Sequence, residues 1–122
     1  MQFLSMDLAI KFHRQLIDRF GGLHGIHDKK MLDSALEHPK LLFAIAQEND
    51  KHILAASYAY HLIHNHPFID GNKRIGILSM IFFLKINKVI IRPSSNDLYA
   101  LSMKIALKQI DEYQIASILK KM

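Results

Sequence analysis

Apolar residues recur along most of this chain at the spacing of a helix rather than that of a strand. In "SMDLAIKFHRQLIDRF", Leu8, Phe12, Leu16 and Phe20 share one face with Ile17 beside them, which predicts a first helix. Ser5 or Asp7 is placed to cap it, and Gly21-Gly22 to end it. "GGLHGIHD" reads as a loop. Asp28 then caps a short helix through "KKMLDSALEH", which Pro39 is expected to stop, and "KLLFAIAQEN" makes another short helical piece.

"DKHILAASYAYHLIHNH" is a strong helical pattern with Ile53, Leu54, Ala55, Tyr58 and Leu62 on its buried side. Ser57, His61 and His64 fall at i, i+4 and i+7 and form a polar stripe. From Ile75 to Ile86 the chain is apolar all round, the pattern of a helix with neighbours on every side. "NKVIIRPSS" brings the chain back out, with Val89 to Ile91 readable as a short strand or a turn. Ser95 or Asn96 caps "DLYALSMKIALKQ", and Asp111 caps "EYQIASILKKM". The expectation is an all-α, compact helical bundle around the Ile75–Ile86 helix, with residues 1–122 as a single domain.

Half of the 122 residues are apolar, enough for a real core. The absence of cysteine removes disulfides, thiolate nucleophiles and Cys-type zinc sites, and suits a reducing cytoplasm. "MQFLSMDLAIKF" has no charged region ahead of its apolar residues and no small-residue cleavage site, so no secretion signal is expected. The Ile75–Ile86 stretch is too short to cross a bilayer and contains Lys85. A cytoplasmic protein without membrane attachment is expected. The net charge of +5 could draw in nucleic acid, nucleotide or an acidic partner. No basic run exceeds the pairs Lys29-Lys30, Lys73-Arg74 and Lys120-Lys121, and no basic stripe carries aromatics, so direct nucleic-acid binding is not expected.

The chemistry concentrates in "HNHPFIDGNKRIG", His64 to Gly76. Gly71-Asn72 precedes the apolar helix, whose N-terminus offers unpaired N–H groups and about half a positive charge to an anion. Gly71 lets a ligand approach the backbone closely. Lys73 and Arg74 oppose the helix dipole unless a bound polyphosphate supplies negative charge. Asp70 is either the helix N-cap or a Mg²⁺ ligand acting together with phosphate, and the neighbouring cations favour the second. His66 could accept a proton from an attacking hydroxyl. Phe68 anchors the loop in the core, and Pro67 stiffens the helix exit. His61 and His64 with His66 lack a nearby acid to complete a zinc ligand set, and are expected beside the pocket.

"HPFIDGNKR" resembles the H-x-F-x-(D/N)-x-N-K-R signature of the Doc toxins, a branch of the Fic/Doc superfamily. "GGLHGIHDKKMLDSALEHP" is similar to the family's "GGL-G-x-x-D…L-x-S-A-L-x-x-P" segment. The resemblance implies a small helical bundle paired with a Phd-like antitoxin. It also implies a protein kinase that moves the γ-phosphate of ATP, with Mg²⁺, to a hydroxyl of elongation factor Tu and arrests translation. Fic proteins proper carry H-P-F-x-x-G-N-G-R-x-x-R and transfer AMP. Here Lys73 stands at the second glycine of that motif and Ile77 at its last arginine, as in Doc. By position, His66 would be the general base and Asp70 the Mg²⁺ ligand. Gly71 and Asn72 would cradle phosphate, with Lys73 and Arg74 neutralising charge on the transferring group. Asn72 is also readable as a local turn-former. The family's inhibitory (S/T)-x-x-x-E-(G/N) pattern is absent, so restraint would come from a separate polypeptide. AMP transfer and a catalytically silent binding module are the alternatives.

Overall fold

Five of the six helices begin on a side chain that accepts a hydrogen bond from the first turn, and the sixth does not. In the computed structural model, which describes residues 1–122, these are α1 (Met6–Phe20), α2 (Lys29–Ala44), α3 (Lys51–Asn65), α4 (Asn72–Ile86), α5 (Ser95–Ala106) and α6 (Glu112–Lys120). Ser5, Asp28, Asp50, Ser94 and Asp111 are the caps. Such caps typically contribute about 1 kcal/mol each. The uncapped start is that of α4. The fold is all-α as the periodicity predicts, and the sole β-type contact is an isolated antiparallel bridge between Ile26 and Phe68. No helix is long and apolar enough to cross a membrane.

Three local expectations need correction. Pro39 does not stop α2, which runs continuously through both predicted pieces. Proline removes only the bond that its own nitrogen would donate to the carbonyl of Ala35, and here its ring lies on the buried side of the helix. The cap of α5 is Ser94, not Ser95 or Asn96. Its hydroxyl accepts from the Asp97 N–H at 3.0 Å while the Asp97 carboxylate accepts from the Ser94 N–H at 3.2 Å. This reciprocal pair satisfies two end groups at once, which a cap one residue later would lose. Val89 to Ile91 form no strand; the Val89 N–H donates to the Leu84 carbonyl at 2.8 Å and closes off α4.

α3 and α4 share the centre. α3 packs on α2, α4, α5 and α6, and α4 packs on α1, α3 and α5. The unbroken run Leu54 to Ala59 is fully buried because α3 is covered on nearly all sides. The Tyr58 hydroxyl accepts from the Leu4 N–H at 3.0 Å, and burial pushes its pKa up to about 12. The polar stripe of α3 faces neighbouring helices rather than solvent: Ser57 meets His38 of α2, His61 meets Glu112 of α6, and His64 meets the Ile105 carbonyl of α5. Gly76 sets the closeness of α3 and α4, since a Cβ there would lie 2.8 Å from Ile63 Cγ1 and 3.3 Å from the Ala59 carbonyl oxygen.

α1 docks through His13, which is only 3% exposed. Its ring stacks on Phe68 with centroids 3.7 Å apart and planes 8° from parallel. Nε2 lies 2.7 Å from the Asp70 carbonyl oxygen, so the proton sits on Nε2. Burial holds the His13 pKa below its ordinary value, opposed by the bond to Asp70 and reinforced by the nearby His24. Burial and the adjacent His61 lower His38 in the same direction.

Gly76→Ala should lower stability by about 1–2 kcal/mol in thermal unfolding, because the clash with Ile63 and the α3 backbone outweighs the helix-propensity gain. Ser79→Ala should raise it by about 1 kcal/mol, since the buried Ser79 hydroxyl has no hydrogen-bond partner. A histidine with a lowered folded-state pKa takes up its proton more readily once unfolded, so stability falls as pH drops below about 6.5. Urea midpoints measured from about pH 7.5 to about pH 5 should therefore decline. The decline should be shallower in His13→Phe, which keeps a ring against Phe68 but has nothing to protonate.

Candidate active site

α3 ends at Asn65, and His66 turns the chain in the left-handed conformation (φ 50, ψ 51) with its side chain exposed. Pro67 and Phe68 dive into the core immediately afterwards. The loop then closes on itself through Asn72. The Asn72 side-chain carbonyl accepts from the Phe68 N–H at 3.0 Å, and its amide donates to the Phe68 carbonyl at 2.9 Å. Asn72 is 5% exposed, so both bonds are shielded from water. The turn-forming reading of Asn72 is thus the observed one. Its side chain is fully employed, and what it offers a ligand is backbone.

A second loop laces onto this one. The N–H groups of His27 and Asp28 both donate to the Pro67 carbonyl, at 2.8 and 3.0 Å, and the Ile69 N–H donates to the Gly25 carbonyl at 3.1 Å. The Leu23 N–H donates to Asp70 Oδ2 at 3.2 Å. Gly22 is required at that contact, since a Cβ on it would stand 2.7 Å from the same oxygen.

The start of α4 falls on Gly71, at φ 79 and ψ 17, with no side chain capping it and no acid in the first turn. A left-handed residue is needed there, and a Cβ would also press to 3.2 Å from Ile17. Asp70 is not the cap. Its Oδ1 accepts instead from the Gly71 N–H at 2.9 Å, and the carboxylate is exposed. The first-turn amides of Asn72, Lys73 and Arg74 therefore have neither an intrahelical acceptor nor a side-chain cap. Lys73 and Arg74 are exposed and pair with no carboxylate. Lys73 Nζ lies 3.7 Å from the Met103 sulfur, and the Arg74 guanidinium lies 5.3 Å over the Phe20 ring and donates to the Gly21 carbonyl at 3.5 Å.

His66, Asp70, Gly71, Asn72, Lys73 and Arg74 all line one groove of about 1260 Å³. Its remaining wall is largely apolar, with Leu16 and Phe20 from α1, Ile77 and Ile81 from α4, and Leu98 and Tyr99 from α5. One end is thus cationic and rich in free N–H groups, and the rest could hold a flat or greasy group. Asp70 fits a Mg²⁺ ion held jointly with phosphate: each carboxylate oxygen accepts one backbone bond and keeps a free lone pair toward solvent.

His64 lines the groove, while its Nε2 lies 2.8 Å from the Ile105 carbonyl oxygen. His61 does not line it. The expectation that no acid lies near His61 is corrected, because Glu112 Oε1 is 3.0 Å from its Nε2. Sequence reasoning also missed His13, Phe20 and Tyr99. Their relation to the motif is tertiary, and an apolar or aromatic residue at helical spacing carries no sign of which groove it will line.

The Fic/DOC family model matches residues 3–84, which span α1 to nearly the end of α4 and include both laced loops. Over 122 residues the chain is 27% identical to the "Protein kinase doc" of Escherichia phage P1, covering 100% of this chain and 96% of that protein. With two-thirds of its length matched and the motif folded at a helix N-terminus, the chain belongs to the Fic/DOC family.

Proposed function

We propose that this protein is a Doc-type toxin, a kinase that transfers the γ-phosphate of ATP to a hydroxyl of a translation factor, elongation factor Tu. The observation that carries this reading is the pairing of free first-turn amides with two unneutralised cations, Lys73 and Arg74, in a groove with His66 at its lip. A helix start without a cap or an acid is left electrostatically unsatisfied, and a phosphate chain completes it.

In this reading the His66 imidazole takes the proton of the target hydroxyl as its oxygen attacks the γ-phosphorus. The bond to the bridging oxygen breaks and ADP leaves. The N–H groups following Gly71, together with Lys73 and Arg74, hold the charge that develops on the transferring group. Asp70 would hold Mg²⁺, which when bound neutralises phosphate charge. Lys73 and Ile77 argue against AMP transfer, since a lysine stands where the AMP-transferring motif has its second glycine and an isoleucine where it has its last arginine. The apolar wall of the groove suits the face of an amphipathic helix from a Phd-like antitoxin acting in the cytoplasm.

The test combines purified protein, Mg²⁺ and a bacterial translation extract with ATP labelled separately at the α- and γ-phosphates. The expected result is one γ-derived phosphate on a protein of elongation-factor size, slowed by about 10²–10⁴ in His66→Ala. Label arriving from the α-phosphate would make the protein an AMP transferase, and absence of both labels would favour a binding module. Lys73→Gly combined with Ile77→Arg should shift the product toward AMP transfer.

A further inference from the structure

Outside the groove, α2, α3 and α6 each bring a metal-binding side chain to one place. His38, His61 and Glu112 each offer a donor atom, and the three atoms lie within 4.8 Å of one another. We propose that His38, His61 and Glu112 form a zinc site that staples these three helices together. None of the three lines the groove.

The arrangement goes beyond a hydrogen bond between His61 and Glu112. That bond, at 3.0 Å, accounts for two of the residues. It does not account for the His38 ring lying against His61, with centroids 3.8 Å apart and planes at 32°. Two imidazoles so close repel when protonated, whereas a divalent cation uses both in their neutral form. Donors around tetrahedral zinc stand roughly 3.3–3.5 Å apart, given bonds of about 2.0–2.1 Å, so small side-chain rotations close the set. Ser57 Oγ, fully buried, lies 3.3 Å from His38 Nδ1 and fixes that ring, as an outer partner does for metal-bound histidines.

The donor types narrow the ion to a transition metal. Two imidazole nitrogens and one carboxylate oxygen suit zinc, whereas magnesium and calcium prefer all-oxygen surroundings. The His61 and Glu112 side chains are 17% and 19% exposed, which leaves an entry path and room for a water as fourth ligand. The three ligands come from positions 38, 61 and 112, so a bound ion ties α6 to the helix that His66 follows.

Chelator-treated full-length protein titrated with zinc chloride should bind one ion per chain. Its unfolding temperature should rise with zinc concentration as binding to the folded state alone requires. Cobalt in place of zinc should give the intense visible bands of a four-coordinate site. His38→Ala and Glu112→Gln should each lower zinc affinity at least tenfold and abolish those bands, while His64→Ala should keep both. Glu112→Gln retains a hydrogen-bond acceptor for His61, so it separates loss of the metal from loss of the fold. Failure of the native protein to take up zinc, or uptake unchanged in His38→Ala and Glu112→Gln, would overturn the proposal.

Discussion

The two buried hydrogen bonds between the Asn72 side chain and the Phe68 backbone are the constraint on which the rest of the site depends. They turn the segment from Phe68 to Asn72 into a rigid corner between α3 and α4, with Phe68 sunk in the core as its anchor. With glycine at the cap position and the Asn72 side chain used in this way, the chain enters α4 with no side chain to cap it. The cost is a helix start with unpaired amides and two cations. In most helices an aspartate or serine would remove that imbalance, as it does at the other five starts in this fold. Here the imbalance is preserved, and in the proposed function a phosphate chain is what answers it.

Holding such a corner in place takes contacts from both sides. From α1, His13 stacks on Phe68 and bonds the Asp70 carbonyl. From the loop before α2, the His27 and Asp28 amides clamp Pro67, and the Leu23 amide steadies the Asp70 carboxylate. Asp70 is therefore oriented by protein donors through both oxygens yet remains exposed, a combination suited to holding a hydrated cation. His66, by contrast, is fixed through its backbone alone. Its left-handed geometry swings the side chain out of α3 at the point where the helix would otherwise have buried or extended it. Positioning is thus a property of the backbone path, which leaves the His66 side chain exposed and the Lys73 and Arg74 side chains without a carboxylate partner.

What was legible in the sequence follows from how local each feature is. The helices were readable because their apolar spacing and most of their caps lie within a few residues of one another. The six motif residues were readable because they all lie between His66 and Arg74, and the structure gathers all of them at one groove. The failures were of two kinds. Pro39 and Ser94 were misread because burial of a proline ring and a reciprocal cap both override simple start and stop rules. His13, Phe20, Tyr99 and the pairing of His61 with Glu112 were out of reach because they join residues tens of positions apart, through packing that no period records. Asn72 stood between the two: its type announced a turn, but only the fold shows that the turn consumes its whole side chain.

The most direct test of this account is a crystal structure of the protein with Mg²⁺ and a non-hydrolysable ATP analogue. The account predicts triphosphate oxygens within hydrogen-bond distance of the backbone N–H groups that follow Gly71, with the terminal phosphate between His66 and the Lys73 and Arg74 side chains. A nucleotide bound elsewhere, or one whose phosphates point away from the start of α4, would contradict it.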